Sequence, residues 1–428
     1  MNKLHCVKEN HDKPFYYMVL LMALLFVLRD CFSINISQFI FLGLSSLFFL
    51  ISNYDRCVYL TICALPLLCG MQGFIATVAI IMLFIKAPKI NNWQWAPLLI
   101  IGILEIVNWG GVSKDSSIKE YILLCSSVGL FFFFAGGVFD KFSKAKMLRY
   151  YIYSSSFVLF LVVYRSITYL GIDGLLSAGF RGTNVMEMAG LESDMQTHFA
   201  LNANSQAFFS IVNIAILLLG QSKLGMKRVP YYFVLITSFI AGIVSFSRTW
   251  LFLIPFLCIV SIILTKGKKR LTLIVSFLVL IVGFIASGFA DPIIDSFTGR
   301  FEDGSLETGS GRTEIFAHYN KLWIDDPVKI LVGTGSIDYA YKSHYGHSIH
   351  NGIQQVYYCY GILGFICVLS VFLHYFRRTR DNRVSWLSMV PFTVCFLFDQ
   401  SIQFINPHYL MFPFIASMFA SELHSSEL

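Results

Sequence analysis

Three arginines and one histidine stand where an apolar chain has least use for charge, and their types suit phosphate and proton chemistry. Arg248, in Ser245-Phe246-Ser247-Arg248-Thr249-Trp250, falls between two apolar runs, where a guanidinium inside a membrane costs roughly 2 to 3 kcal/mol. Either it reaches outward to headgroups or it holds an anion. Arg312, in Gly309-Ser310-Gly311-Arg312, precedes a stretch from Thr313 to Asp326 in which Ile315, Phe316, Tyr319, Leu322 and Trp323 recur at helical spacing, with Ser310 as N-cap and Pro327 as the stop. A cation there opposes the helix dipole, unless an anion lies between it and the free amides or Glu307 or Glu314 pairs with it. Arg181, in Phe180-Arg181-Gly182-Thr183, reads by itself as a solvated loop residue. Taken together, three outward arginines suit a ligand with more than one phosphate, because guanidinium forks match phosphate oxygens in pairs. His350, followed by Asn351, stands where a long polar stretch gives way to another apolar run. An ionisable ring at that border invites a functional reading.

Composition defines the frame that must hold these groups. Of 428 residues 56% are hydrophobic and 13% charged, against about 25% charged in ordinary soluble domains. The apolar runs approach the ~20 residues a helix needs to cross a bilayer and lack the alternation of an outer-membrane barrel. The expected fold class is therefore all-α, a polytopic integral membrane protein with about 12 to 14 transmembrane helices. Spans are predicted near 14–29, 34–52, 56–70, 71–86, 95–110, 119–139, 150–170, 205–220, 230–246, 249–265, 271–289, 350–374, 384–400 and 405–421. Within the pairs 56–86 and 230–265, each member is barely long enough to cross.

Clusters such as Lys141 to Arg149, Lys223 to Arg228, Lys266 to Arg270 and Arg377 to Arg383, with Lys3, Lys8 and Lys13, put those loops and the N-terminus on the cytoplasmic side. Residues 171–203 and 290–349 then face outward; the second carries nine acidic against five basic side chains between Asp291 and Lys342. This asymmetry accounts for the net charge of +7 without nucleic acid. The first span reads as an uncleaved anchor followed by Arg29 and Asp30, with no soluble domain before or after the membrane region. The organisation is thus N-terminal helices over 1–170, a first outer loop over 171–204, helices over 205–289, a second outer loop with an amphipathic helix over 290–349, and C-terminal helices over 350–428.

Neither outer loop contains a cysteine, so no disulfide framework is expected, and Cys57, Cys63 and Cys69 read as packing residues. His344 and His347 beside His350 imitate a zinc site, but no cysteine accompanies them and none is assigned. Glu105, Arg165 and Asp399 are candidate charges inside spans, either for a proton relay or for structural pairing. A secondary transporter should add broken helices and a two-fold repeat, neither of which is legible here.

His350-Asn351, nine residues, then Gly361-Ile-Leu-Gly364 resembles a signature of the O-antigen polymerase and O-antigen ligase superfamily. Asn204-Ser-Gln-Ala207, Ser247-Arg248, Gly309-Ser-Gly-Arg312 and Gly333-Thr-Gly335 precede it in the matching order, so the resemblance covers roughly residues 180–375. It implies a metal-independent glycosyltransferase without cofactor in the bacterial inner membrane, its two larger loops periplasmic and its termini cytoplasmic. The donor would be an undecaprenyl-diphosphate-linked oligosaccharide within the membrane lipid, and a chain-length regulator and a flippase are the implied protein partners. Arg248 and Arg312 would stabilise the charge on the departing diphosphate, with Arg181 next. His350 would take the proton of the acceptor hydroxyl, for which an imidazole with a pKa of about 6.5 is suited. Asn351 would orient that ring or bind sugar, and Asn204 would contact substrate. Gly361 and Gly364 would permit close helix contact. Between polymerase and ligase the expectation is a polymerase, since its members vary widely outside the motifs.

Overall fold

The computed structural model describes residues 13–68, 73–87, 95–109, 118–135, 142–176, 199, 201, 203–265, 267–286, 290–291, 294–295, 298, 312–336, 349, 351–379, 389–391, 393–394, 396–397 and 411–425. Arg181, His344, His347, His350 and Asp399 lie outside them, as do Ser310 and Glu307, and of Arg312 only the backbone is described. Among the described residues all regular structure is helical. In chain order the helices are α1 (Lys13–Asp30), α2 (Gln38–Ile51), α3 (Tyr54–Ala64), α4 (Phe74–Lys86), α5 (Trp95–Trp109), α6 (Ile118–Ala135), α7 (Lys144–Leu176), α8 (Ala203–Leu224), α9 (Arg228–Val244), α10 (Arg248–Leu264), α11 (Lys268–Ala286), α12 (Arg312–Ile324), α13 (Pro327–Val332), α14 (Gly352–Thr379) and α15 (Met411–Ser425).

Helix α8 is the axis of the bundle. Every residue from Ser205 to Leu217 is buried, so that stretch has no solvent or lipid face, and the helix packs against α7, α9, α10 and α15. At the other extreme α11 exposes Leu271, Val275, Leu278, Val279, Ile281, Val282 and Ile285, an apolar surface whose natural solvent is lipid. Among the described residues two stretches are both long and apolar enough to cross a bilayer, Lys144–Ile172 and Gly352–Arg378; other apolar stretches, such as Gln38–Ile51, Arg228–Val244 and Arg248–Leu264, are 10–17 residues long. These features are those of a helical membrane protein.

Polar side chains tie the apolar helices together. The Asn213 amide donates to Ser156 Oγ and Ser238 Oγ, each at 3.1 Å, and its oxygen accepts from Ser155 Oγ at 2.6 Å, joining α7, α8 and α9. Glu422 on α15 pairs with Lys144 at 2.9 Å and Arg378 at 3.4 Å, so the start of α7 and the ends of α14 and α15 share one end of the bundle. At the opposite end, Asp30 accepts from Arg29 Nε at 2.9 Å and Nη2 at 2.6 Å and lies 3.7 Å from Arg165 Nη1. The Phe199 amide also donates to Asp30, and the Arg29 guanidinium lies against the rings of Phe26, Phe41 and Phe199.

Three boundary expectations change. The run near 56–70 leaves the α-helix after Ala64 for a 3-10 turn over Leu65–Leu67, because Pro66 cannot donate to the ladder. The helix of the second loop ends at Ile324, and Pro327 begins a new helix instead of stopping the old one. Asp326 caps that start by accepting from the Val328 amide at 3.0 Å, and proline suits the first helical turn, where its missing N–H costs nothing. Finally, α14 is broken at Gly361 (φ 61°, ψ −160°), although no broken helix was legible in the sequence.

Candidate active site

Arg248 opens α10, immediately after a turn whose backbone is over-determined. Ser245 ends α9 with its amide on the Ala241 carbonyl, and Phe246 takes φ 47° in the left-handed region. That conformation is costly for a bulky residue, and it is held by complete burial of the Phe246 ring and by Ser245 Oγ, which donates to Gly242 O at 2.6 Å and accepts from the Ser247 amide at 3.3 Å. One turn into α10, the Trp250 indole donates to Ser210 Oγ at 2.8 Å, while Ser210 donates to Ser238 O and Gln206 Nε2 to Ala241 O at 2.7 Å. Gly242 lets the indole in, since a Cβ there would collide with Trp250 and lie 2.6 Å from Ser210 Oγ. Packing and hydrogen bonds from α8, α9 and α10 thus fix the turn, and Arg248 projects from it partly exposed. Ser247, at the N-cap, makes no side-chain capping bond. Arg248 and Arg312 therefore share one unusual setting, a cation on the first residue of a helix, where the amides already present positive charge.

Asn204 is half-buried at the start of α8, at the same end of the hub as Arg248. Upstream of it Phe199 and Leu201 are buried, so the chain is pinned to the bundle at these two residues.

The second cluster is built around the start of α14. Ile349 is buried, and Asn351 caps the helix: its Oδ1 accepts from the Gln354 amide at 2.9 Å, its carbonyl from the Gln355 amide at 2.9 Å, and its Nδ2 donates to Leu397 O at 3.0 Å. The chain is thus fixed on both sides of His350. Gln354 extends Nε2 to Phe316 O at 3.1 Å and Asn320 Oδ1 at 2.7 Å, and the Tyr319 and Tyr358 rings meet edge to face at 5.1 Å. These contacts seat α12, which begins with Arg312, against the helix start that follows His350. Burial, with Tyr358 and Cys359 adding to it, pushes the Tyr319 hydroxyl up to about 12.

Beneath this cluster the expected close approach at Gly361 is present in an unforeseen form. A Cβ on Gly361 would strike the Leu331 carbonyl and lie 2.6 Å from Val332 N, while a Cβ on Gly333 (φ 74°) would strike the Cys359 carbonyl and Tyr360 N. The two glycines make a reciprocal backbone contact that no other residue type allows. Breaking α14 frees two carbonyls, and the motif supplies their donors: Thr334 N to Tyr358 O at 3.0 Å and Gly335 N to Cys359 O at 2.8 Å. Gly364 also sits tightly, under the Tyr360 side chain. Val332–Ser336, read from the sequence as outer loop, therefore packs within the helices.

The two described charges considered for a relay are engaged structurally: Arg165 with Asp30, and Glu105 with Ser336, whose amide (3.1 Å) and Oγ (2.7 Å) both donate to Glu105 Oε1. Asp30 and Gln354 were missed by the sequence reading. Adjacency to Arg29 at a span end was the one signal for Asp30, and Gln354 carried none. Among the described residues no group of metal-ligating side chains comes together.

A helical membrane protein with arginine-led helices and a glycine-stitched support under the His350 segment is the class defined by these features. Residues 233–369 match the family described as O-antigen ligase. That segment runs from within α9 to within α14 and holds Arg248, Arg312, His350, Asn351, Gly333 and Gly361; Arg181 and Asn204 precede it. This match, over about a third of the chain, supports the resemblance to the O-antigen polymerase and ligase superfamily, whose members are membrane enzymes of the glycosyltransferase kind acting on lipid-linked glycans. The match does not separate polymerases from ligases. Comparison with curated proteins finds no match.

Proposed function

We propose that this protein polymerises lipid-linked oligosaccharide repeat units into O-antigen or capsular polysaccharide at the periplasmic face of the inner membrane. An acceptor sugar hydroxyl attacks the anomeric carbon of the donor glycan, the bond from that carbon to the diphosphate breaks, and undecaprenyl diphosphate leaves with the bonding electrons. His350 takes the hydroxyl proton, and no metal takes part. Arg248, Arg312 and Arg181 offset the charge on the departing diphosphate, and Asn204 and Asn351 contact the glycan. A single displacement of this kind inverts the anomeric centre.

The observation that carries the proposal is the shared setting of Arg248 and Arg312 inside the family-matched segment. Each is the first residue of a helix, where the first-turn amides present positive charge, and a bound anion would be favoured at such a position. Variation of the chain outside the motifs favours a polymerase. The second reading, whose name the family description carries, is a ligase that transfers the finished glycan to lipid A core.

The test is a gel of surface polysaccharide from a null strain beside strains complemented with wild type and with His350→Ala. Lipid A core bearing a single repeat is the result expected of a lost polymerase. Bare core with long lipid-linked chains accumulating identifies a ligase, and an unchanged ladder in the null strain removes both. Normal product from His350→Ala in folded form removes the proton-acceptor assignment.

A further inference from the structure

Glu105 is a buried carboxylate, 6% exposed, on α5, far upstream of the family-matched segment, and the proposed chemistry makes no use of it. Its Oε1 accepts from both the amide and the hydroxyl of Ser336, and the fully buried Tyr360 hydroxyl lies beside the same carboxyl. Asn108, one turn along α5, donates to Leu104 O at 2.8 Å and to Val332 O at 3.4 Å. The Gly335 α-carbon faces both side chains, since a Cβ there would lie 3.0 Å from Asn108 Cβ and 3.5 Å from Glu105 Oε2. Helix α5 therefore grips Val332–Ser336 from one side while the broken α14 grips it from the other through Tyr358 O and Cys359 O.

Everything attached to this grip bears on the site. Residue 336 immediately precedes the chain leading to His350, α13 leads back to α12 and Arg312, and Gln354 and Tyr319 tie α12 to the first turns of α14. The unit carrying Arg312 and His350 thus meets α5 through Glu105 and Asn108.

We propose that Glu105 is a positioning residue for the transfer reaction, setting through Ser336 the placement of the unit that carries Arg312 and His350 relative to the bundle. The proposal rests on the glycosyl-transfer reading above. Glu105 touches no substrate; what it supplies is a fixed acceptor for two donors of Ser336. A misplacement of about 1 Å at a reacting group costs on the order of 100-fold in turnover, so removal of the acceptor lowers kcat and leaves KM nearly unchanged.

The experiment measures kcat and KM for full-length protein in membranes, using as substrate the lipid-linked glycan that accumulates in the null strain. Wild type, His350→Ala, Glu105→Gln, Glu105→Ala and Ser336→Ala are compared, each normalised to folded protein by gel filtration in detergent. Glutamine keeps a carbonyl acceptor for Ser336, so Glu105→Gln retains turnover within about fivefold while Glu105→Ala loses roughly 100-fold in kcat. Should Glu105→Ala not fold, Ser336→Ala, which deletes one donor and keeps the amide, carries the same test with a smaller loss. Wild-type kcat in both alanine variants overturns the positioning role. Equal inactivation of folded Gln and Ala variants also overturns it, since the charge itself would then be required. No transfer by wild type, or full transfer by His350→Ala, overturns the underlying reading and is recognised independently of Glu105.

Discussion

Replacing Gly361 by alanine tests the interlocked backbones under the site. Gly361 has φ 61° and ψ −160°, in a region that is essentially glycine's alone, so a side chain there costs about 1 to 3 kcal/mol before any contact is counted. The new Cβ would also lie 2.6 Å from Val332 N and closer still to the Leu331 carbonyl, so α13 must move away from α14. That movement stretches the bonds from Thr334 N to Tyr358 O and from Gly335 N to Cys359 O, at about 1 kcal/mol each, leaving buried carbonyls short of donors. The sum is roughly 3 to 5 kcal/mol, a large share of the ~5 to 15 kcal/mol that holds a typical folded protein. Thermal unfolding of purified protein in detergent, followed by gel filtration, should show the midpoint fall by roughly 3 to 6 °C. Gly43→Ala and Gly102→Ala are the controls, since a Cβ at either meets nothing within 4 Å. Both should be neutral or slightly stabilising, because alanine is favoured over glycine in a helix by up to about 1 kcal/mol. A Gly361→Ala midpoint equal to that of Gly43→Ala would refute the reasoning.

Other consequences are open to direct measurement. Arg248→Lys keeps the charge but loses the fork, and should lower transfer by on the order of 100-fold with an unchanged unfolding midpoint; full activity would show that the fork is not used. Gly242→Ala drives a methyl into Trp250 and Ser210 Oγ, so both midpoint and transfer should fall, and retention of either would contradict the described hub. Asp30→Ala removes the carboxylate lying between the buried guanidiniums of Arg29 and Arg165, at a cost of about 3 to 5 kcal/mol; an unchanged midpoint would count against the cluster. Tyr319, 3% exposed and pushed up to about 12 by burial, is kept protonated in the fold, so stability is unaffected by it below about pH 10 and falls as pH rises toward about 12. Hydrogen exchange of α12 should increase over that window in wild type and not in Tyr319→Phe; identical profiles would remove the assignment.

What the residue types fixed is the membrane character, the helical class and the ordered motifs. A chain that is 56% hydrophobic cannot hide its apolar surface in water, and backbone groups in lipid must be bonded within helices. Arg248 stood out because its charge interrupts apolar runs, and Gly361 because its spacing from His350-Asn351 resembled a known signature. Both inferences depend on neighbours in the chain, which a sequence displays directly. The grip on Val332–Ser336 depends instead on groups remote in sequence: a carboxylate at 105, a hydroxyl at 336 and two carbonyls at 358 and 359. The pairing of Asp30 with Arg165 and the wedge of Trp250 over Gly242 are equally remote. Hydrogen bonds and close packing act over a few ångströms of space whatever the separation along the chain, so only the tertiary structure decided which buried charge is paired, where α14 breaks and what holds the break closed.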